Sequence, residues 1–492
     1  MTAGTTIALS LISHTNAGKT TLARTLLGRD VGEVRDAPHV TQEAAPYPLI
    51  HTPEGDALIL WDTPGFGDSA RLARRLGQQG NPIGWFLTQV WDRFRDRAFW
   101  YSQLAVRNVR DQADVVLYLV NAAEAPEDAG YLGPELAVLE WTGKPVLVLL
   151  NQTGRPRPRE EEEADEARWR AALAPHPFIR AVTTLDAFAR CWVQEITLLD
   201  LVGNALPQAR HAPFARLVKA WQARRFAQFA AAMAALAAPI AQAACDVEAV
   251  PDAGVKGALR ELGRSLGLGR DDADVAKARA AQELAARLDT ALRASTDRLI
   301  ALHDLGGRAK EDVIARLTAG VLLDAPLSEV KAAIMGGVVS GALTGLAADL
   351  ATGGLTFGAG VLTGAVLGAL GGAGIARGMN LARGKHGAVL RWDDAFLSGL
   401  VGSALLRYLA VAHYGRGRGE WTESEYPPFW QDKVAAAIAA RAALLAGLWA
   451  RREASADAAA LENGVREVLA EAARSLLDDL YPGTLTDMPP ST

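Results

Sequence analysis

The sequence predicts an α/β domain with a mostly parallel sheet and helices on both faces, followed by an all-α C-terminal region that carries a glycine-rich helical hairpin. Three observations predict it. Short apolar strands alternate with helical segments through residue 205. From Pro207 onward strand patterns nearly vanish and Ala, Leu, Arg and Glu dominate. Between Ala332 and Ala376 thirteen positions are Gly and only Asp349 is charged.

The elements follow in order. Ile7–Ile12 is a buried apolar strand, and Thr20–Leu27 has helical periodicity. Tyr47–Thr52 and Ala57–Asp62 are strands joined through Pro53-Glu54-Gly55-Asp56, a turn sequence that predicts an antiparallel hairpin. Val115–Asn121, Pro145–Asn151 and Ile179–Thr184 are further strands, the last followed by a helix through Leu201. Two stretches interrupt this rhythm. Ser69–Asp114 is long for a connection and rich in aromatics, including Trp91, Phe99 and Trp100. Arg155–Arg170 reads as an exposed loop entering a helix with an acidic first turn, Glu160 to Glu163.

Composition bounds the classes. The chain has 492 residues, enough for about three domains of ordinary size. It is 50% hydrophobic and 22% charged, which excludes a wholly disordered protein. A net charge of −5 argues against a dedicated nucleic-acid binder, and no DNA partner is expected. Two cysteines, Cys191 and Cys245, build neither a disulfide framework nor a zinc site, so a reducing, cytoplasmic compartment is expected. The N-terminal apolar stretch, Ile7–Ser13, is too short for a signal peptide.

The chemistry concentrates where the first strand hands over to the first helix. Ser13-His14-Thr15-Asn16-Ala17-Gly18-Lys19-Thr20 has the spacing of a phosphate-binding loop, with Ser13 in place of the usual first Gly. Backbone N–H groups at the helix start cradle phosphate oxygens, Lys19 reaches the β and γ phosphates, and the Thr20 hydroxyl holds Mg²⁺. A second strand, Ala57–Asp62, ends in Asp62-Thr63-Pro64-Gly65. A carboxylate at that strand end binds Mg²⁺ through water, and Gly65 offers its N–H to a γ-phosphate.

In these motifs residues 1–205 resemble a P-loop G domain of the Era-like branch of the TRAFAC class of GTPases. Asn16-Ala17-Gly18-Lys19-Thr20 matches the first motif and Asp62-Thr63-Pro64-Gly65 the third. Thr41, 21 residues after Thr20, falls at the switch I threonine, which the resemblance assigns to the Mg²⁺ shell and the γ-phosphate. Asn16 matches a position that helps hold a monovalent cation, potassium, in some members; its other reading is a brace for the loop. Phe66 stands where many GTPases carry a water-orienting Gln, which implies slow intrinsic turnover. Asn151-Gln152-Thr153-Gly154 occupies the place of the guanine-reading N-K-x-D motif. Asn151 can still meet the base or brace the phosphate loop, whereas Gly154 lacks the carboxylate that reads guanine, a gap Asp186 is a candidate to fill. The implied nucleotide set is Asn16, Ala17, Gly18, Lys19, Thr20, Thr21, Asn151 and Gln152. Lys19, Thr41 and Gly65 act on the reacting phosphate, and Thr20, Thr41 and Asp62 serve Mg²⁺. Over the whole chain the resemblance is to a bacterial family of uncharacterised GTPases with a C-terminal helical domain of unknown function.

The aromatic-rich insertion at about 69–113 hangs from switch II. Its arginines admit a nucleic-acid stacking surface, but Asp92, Asp96 and Asp111 dilute the charge, and packing of the aromatics against the protein is the simpler reading. In the glycine-rich block, Gly337, Gly341 and Gly345 lie four apart, as do Gly360, Gly364, Gly368 and Gly372, so each arm presents a glycine groove on one helix face. Lys331 precedes the block and Arg377, Arg383 and Lys385 follow it, which suits a hairpin with both ends on the cytoplasmic side. A glycine-zipper hairpin in a soluble bundle is the alternative.

The sequence therefore divides into a GTPase domain at 1–205, a helical region at 206–330, the glycine hairpin at 331–385 and a C-terminal helical region at 386–492. The expected function is a GTP-binding, GTP-hydrolysing switch at the cytoplasmic membrane, with a lipid or membrane-protein partner and self-association as a homodimer. The alternatives are a mechanochemical or pore-like membrane assembly and a soluble RNA or ribosome-assembly GTPase.

Overall fold

The computed structural model describes residues 4–14, 17–28, 45–77, 97–153, 159–185, 191–250, 272–305, 379–384, 387–414, 428–452 and 458–485. The chain forms two compact units, Met1–Ala227 with Ala412–Trp421 and Gln228–Val411 with Thr422–Thr492.

The first unit is built on a six-stranded sheet. Its elements are β1 (Thr6–Ser13), α1 (Lys19–Leu27), β2 (Ala45–His51), β3 (Ala57–Asp62), α2 (Ser69–Gly77), α3 (Arg97–Gln112), β4 (Val115–Asn121), α4 (Leu132–Thr142), β5 (Val146–Asn151), α5 (Arg159–Leu173), β6 (Ile179–Thr184) and α6 (Trp192–Ala205). The strand order is β2-β3-β1-β4-β5-β6, with β2 antiparallel to β3 and every other pair parallel. This is the expected P-loop G-domain architecture. Up to their terminal Asn121 and Asn151, β4 and β5 are runs of buried, mainly aliphatic residues, as parallel central strands must be when helices cover each side. The edge strand β2 carries Pro46 and Pro48, whose missing N–H groups suit an edge.

Register positions the site. Leu11 pairs with Asp62 across β1 and β3, and Asn121 pairs with Asn151 across β4 and β5. Ser13, Asp62 and Asn151 therefore all emerge at the carboxyl edge of the sheet. The chain leaves β1 toward β3 on one side and β4 on the other, and ligands of α/β sheets bind at such a switch point.

The described part of the insertion is helical. Phe99 of α3 is buried among core side chains beneath the guanidinium of Arg71, 3.9 Å from its ring centre, and Arg110 lies 4.5 Å over Trp141. The acidic first turn predicted near residue 160 belongs to α5, with Glu160, Glu161 and Glu162 at its positive end. Against α6 packs the start of α7 (Gln208–Cys245): Arg225 grips the buried Glu195 carboxylate at 2.8 and 2.9 Å, and Trp192 meets Trp221 and Phe226.

The second unit is mainly helical, as expected: the end of α7, α8 (Asp272–Leu302), α9 (Asp394–Ala412), α10 (Pro428–Ala439), α11 (Ala442–Arg451) and α12 (Ala458–Leu480). Phe229 stacks edge-on against buried Tyr408, and Trp449 donates to Ser398 at 3.0 Å. One feature departs from the sequence reading of 207–325 and 388–482 as helices alone. A three-stranded antiparallel sheet, β7 (Val247–Val250), β9 (Gly387–Trp392) and β8 (Met379–Gly384), adjoins α8, whose Arg287 holds Asp246 at 2.9 Å and Glu248 at 2.8 Å. The four-residue β7 pairs with β9 across more than a hundred residues, and β8 and β9 are short neighbours along the chain, so local periodicity carries little trace of them. Arg383, read as a flank of the hairpin, lies in β8. The glycine-rich block 332–376 lies outside the described residues.

Candidate functional site: a phosphate loop between β1 and α1

α1 opens directly from the loop that follows β1. Gly18 takes φ +85°, a left-handed conformation open to Gly at little cost, and a Cβ there would fall 2.7 Å from the Asn151 amide nitrogen. Among the described residues no side chain caps the helix start at Gly18, which leaves its first N–H groups for a ligand. Ala17 and Thr21 are buried on either side of this turn.

Lys19 is buried, and its Nζ donates to Ser13 Oγ at 3.0 Å. The Ser13 hydroxyl in turn donates to the carbonyl of His14. Burial pushes the Lys19 ammonium below the usual lysine range, while the carboxylates of Asp62 and Glu135 pull it back up. Such an ammonium is poised to accept an anionic partner in place of lost water.

Asp62 ends β3 beside it. Oδ2 accepts the Thr20 hydroxyl at 2.8 Å, whereas buried Oδ1 has no protein partner among the described residues. Burial raises the Asp62 carboxyl above the usual range, against the opposing pull of Lys19, the Thr20 hydroxyl and Arg24. An orphaned, desolvated carboxylate oxygen next to a threonine hydroxyl is a donor set that fits a hard divalent cation.

The Asn151 amide donates to the Ala17 carbonyl at 2.8 Å, so the end of β5 braces the loop. Gln152 follows with φ +59°. Gly65 accepts a hydrogen bond from Ser102 Oγ of α3 at 3.4 Å, and the next residue, Phe66, sends its N–H to the Ser13 carbonyl at 3.1 Å. The Phe66 ring is fully buried, 6.5 Å from Tyr118. It is a core side chain, in keeping with the absence of a water-orienting Gln at that position.

The structure thus brings together Ala17, Gly18, Lys19, Thr20, Thr21, Asp62, Asn151 and Gln152, with Gly65 tied to the loop's own backbone through its neighbour Phe66. Asn16, Thr41, Gly154 and Asp186 lie outside the described residues. Sequence reasoning missed a second cluster. His14 Nδ1 lies 2.7 Å from Glu135 Oε1, and the Tyr118 hydroxyl donates to Glu135 Oε2 at 2.7 Å. His14 also stacks on Tyr131, centroids 4.4 Å apart. One signal was present: Glu135 is spaced three and four residues from Leu132 and Leu139, on the apolar face of its helix.

Comparison with known families accords with this geometry. Residues 170–480 match the profile described as a domain of unknown function, DUF3482, which covers more than half of the chain. The chain belongs to the DUF3482 family. Residues 9–152 match the profile described as 50S ribosome-binding GTPase, ahead of the DUF3482 region. No curated protein of established function matches the chain.

Among solved structures, Era of Aquifex aeolicus bound to GDP and AlF4⁻ matches at 19% identity and a TM-score of 0.28, over 42% of this chain and 58% of that one. Era in complex with MgGDPNP and nucleotides 1506–1542 of 16S ribosomal RNA matches at 18% identity and a TM-score of 0.30 over the same shares. A bacterial selenocysteine-specific elongation factor matches at 15% identity and a TM-score of 0.25, over 37% of this chain and 26% of that one. The DUF3482 protein therefore spans only 58% of the Era chains it matches.

Proposed function

We propose that this protein binds and hydrolyses GTP with Mg²⁺ and uses the two nucleotide states as a switch. One observation carries the reading: a desolvated lysine, a threonine hydroxyl and a carboxylate with an oxygen that has no partner among the described residues converge on a helix N-terminus that none of those residues caps. The loop N–H groups hold the α and β phosphates, and Lys19 exchanges Ser13 Oγ for a phosphate oxygen. Thr20 and Asp62 would hold Mg²⁺, joined by Thr41 in the triphosphate state; when bound, that ion neutralises charge developing on the transferred phosphate. The Gly65 N–H serves the γ-phosphate. Because the Gly65 carbonyl is tied to Ser102, a shift of this loop reaches α3 directly.

Guanine is assigned from the family resemblance, with Asn151 and Gln152 at the base side of the site. Asn16 would hold potassium, a positive charge in the role an arginine finger fills in other GTPases. Turnover is slow, because Phe66 offers no polar group to an attacking water. The domain limits at 205, 330 and 385 belong to the same proposal.

The switch acts at the cytoplasmic membrane, through the glycine-rich block at 332–376, with lipid or a membrane protein as partner and homodimerisation as its assembly. Its composition supports this, since helix-interior Gly costs about 1 kcal/mol relative to Ala in water but permits close helix contact in hydrocarbon. Among the described residues two helices, Gln208–Cys245 and Asp394–Ala412, are also long and apolar enough to cross a membrane. About half of each apolar window is buried within the fold.

The test is calorimetry with GTP and ATP in potassium and in sodium buffers, with Lys19→Ala as the blank. Tighter binding of GTP than ATP, and faster hydrolysis in potassium, is the expected result; preference for ATP overturns the guanine assignment. Flotation with liposomes tests the membrane, with a 332–376 deletion as control. Recovery of the full-length protein with ribosomes in place of membranes would favour the ribosome-assembly reading.

A further inference from the structure

Glu135 is fully buried, on the face of α4 that also carries the core residues Leu136, Val138 and Leu139. A carboxylate in such a place must have its oxygens satisfied, and each oxygen has one partner. The Tyr118 hydroxyl of β4 donates to Oε2, and His14 Nδ1 faces Oε1, both at 2.7 Å. Tyr118 is itself fully buried, and burial together with Glu135 pushes its hydroxyl far above the usual tyrosine range, so it remains a donor. One face of the His14 ring is covered by Tyr131, stacked at 17° between planes.

The imidazole is thus socketed from two sides by α4 and the segment leading into it. His14 belongs to the phosphate loop, and its own carbonyl receives the Ser13 hydroxyl that also accepts from Lys19. Ser13, standing where Gly is usual, and His14 are therefore held by hydrogen bonds. They run in one chain from Tyr118 through Glu135 and His14 to Ser13 and Lys19. Asp62 and Gly65 stand outside this chain; Lys19, at its end, is the member that also reaches the γ-phosphate.

We propose that Glu135 is a positioning residue for nucleotide binding, acting through His14 to hold the phosphate loop in the shape that receives the α and β phosphates of a nucleoside di- or triphosphate. The inference rests on the GTP-binding reading above. It assigns the socket to the part of the nucleotide that GDP and GTP share, so both weaken together when it is broken and the chemical step is spared.

The experiment uses the full-length protein and the fluorescent N-methylanthraniloyl derivatives of GDP and GTP, with Lys19→Ala as the blank. His14→Ala and Glu135→Leu are each expected to weaken both nucleotides by about tenfold, the scale of one hydrogen bond to a charged group. In Glu135→Leu, turnover at saturating GTP should change by less than about threefold. Glu135→Gln, whose amide can accept from Tyr118 and donate to His14, should bind within about threefold of the wild type. The double variant should be no weaker than either single one, because both break the same chain. His14→Ala alters a partly exposed loop residue and remains informative if Glu135→Leu does not fold. Unchanged affinity in His14→Ala overturns the inference, as does a double variant whose loss is the product of the single losses. If Glu135→Leu lowers the melting temperature and leaves both affinities intact, the pair is merely structural and the proposal fails. A wild type that binds neither nucleotide removes the GTP reading as well; a wild type that binds, with variants that bind equally, removes this inference alone.

Discussion

The side-chain amide of Asn151 donates to the main-chain oxygen of Ala17 at 2.8 Å, closing a contact across 134 residues. The end of β5 and the residues that open α1 are thereby tied together. Gly18 is the point of closest approach, since any Cβ there would press to 2.7 Å from the same amide.

Gly18→Ala should therefore destabilise the protein by about 2 kcal/mol, combining a left-handed backbone strain with loss of the Asn151 brace. Denaturant unfolding reads the stability, and nucleotide titration should show affinity lost with it. Asn151→Ala, which keeps Gly18, should cost about 1 kcal/mol and leave the backbone relaxed.

Asp62→Asn separates stability from function. The amide still accepts the Thr20 hydroxyl and removes a carboxylate that burial disfavours, so the nucleotide-free protein should melt a few degrees higher, the size of a gain of about 1 kcal/mol. The gain in GTP affinity on adding Mg²⁺ to an EDTA-treated sample should vanish in this variant. A variant that keeps the full Mg²⁺ gain would exclude Asp62 from the metal site.

Alkaline pH should weaken the fold through Tyr131. Burial, with help from Glu124 and Glu135, pushes its hydroxyl from 10.0 up to about 12. Between those values the unfolded chain ionises this tyrosine while the folded one keeps its proton, so the folded state binds more protons and stability falls as pH rises. Below pH 10 the effect is absent. Urea midpoints measured from pH 9 to 12 should show the slope in the wild type and a shallower one in Tyr131→Phe.

Lys19→Ala should abolish measurable nucleotide binding, a loss of at least about 100-fold, with the far-ultraviolet circular dichroism spectrum unchanged. Its stability should fall by less than that of Gly18→Ala, because a desolvated ammonium contributes little net stability to the empty site.

Much of the GTPase domain was legible in the residues themselves. β3 and β4 start and end where their apolar runs predict, and β1 and β5 differ by one residue at their ends, because strands sealed between helices have no other composition open to them; the half-exposed edge strand β6 also has its expected bounds. Lys19, Thr20 and Asp62 were equally plain, since phosphate and metal chemistry demand those side chains at those spacings. The His14–Glu135 pair was not, for its members lie 121 residues apart and a glutamate in a helix looks like any surface acid. The small β7-β9-β8 sheet was hidden for the same reason: a four-residue strand draws its stability from distant partners rather than from its own pattern.

Sequence alone determined that an apolar strand runs into Gly18-Lys19-Thr20 and that a carboxylate waits at the end of another strand, because local chemistry and periodicity are properties of neighbours along the chain. Tertiary structure alone decided that Lys19 is desolvated, that one oxygen of Asp62 lacks a partner among the described residues, that Phe66 turns inward and that Glu135 reaches the loop. Burial and hydrogen-bond satisfaction are summed over everything that surrounds a group in space, and most of those neighbours are far away in sequence.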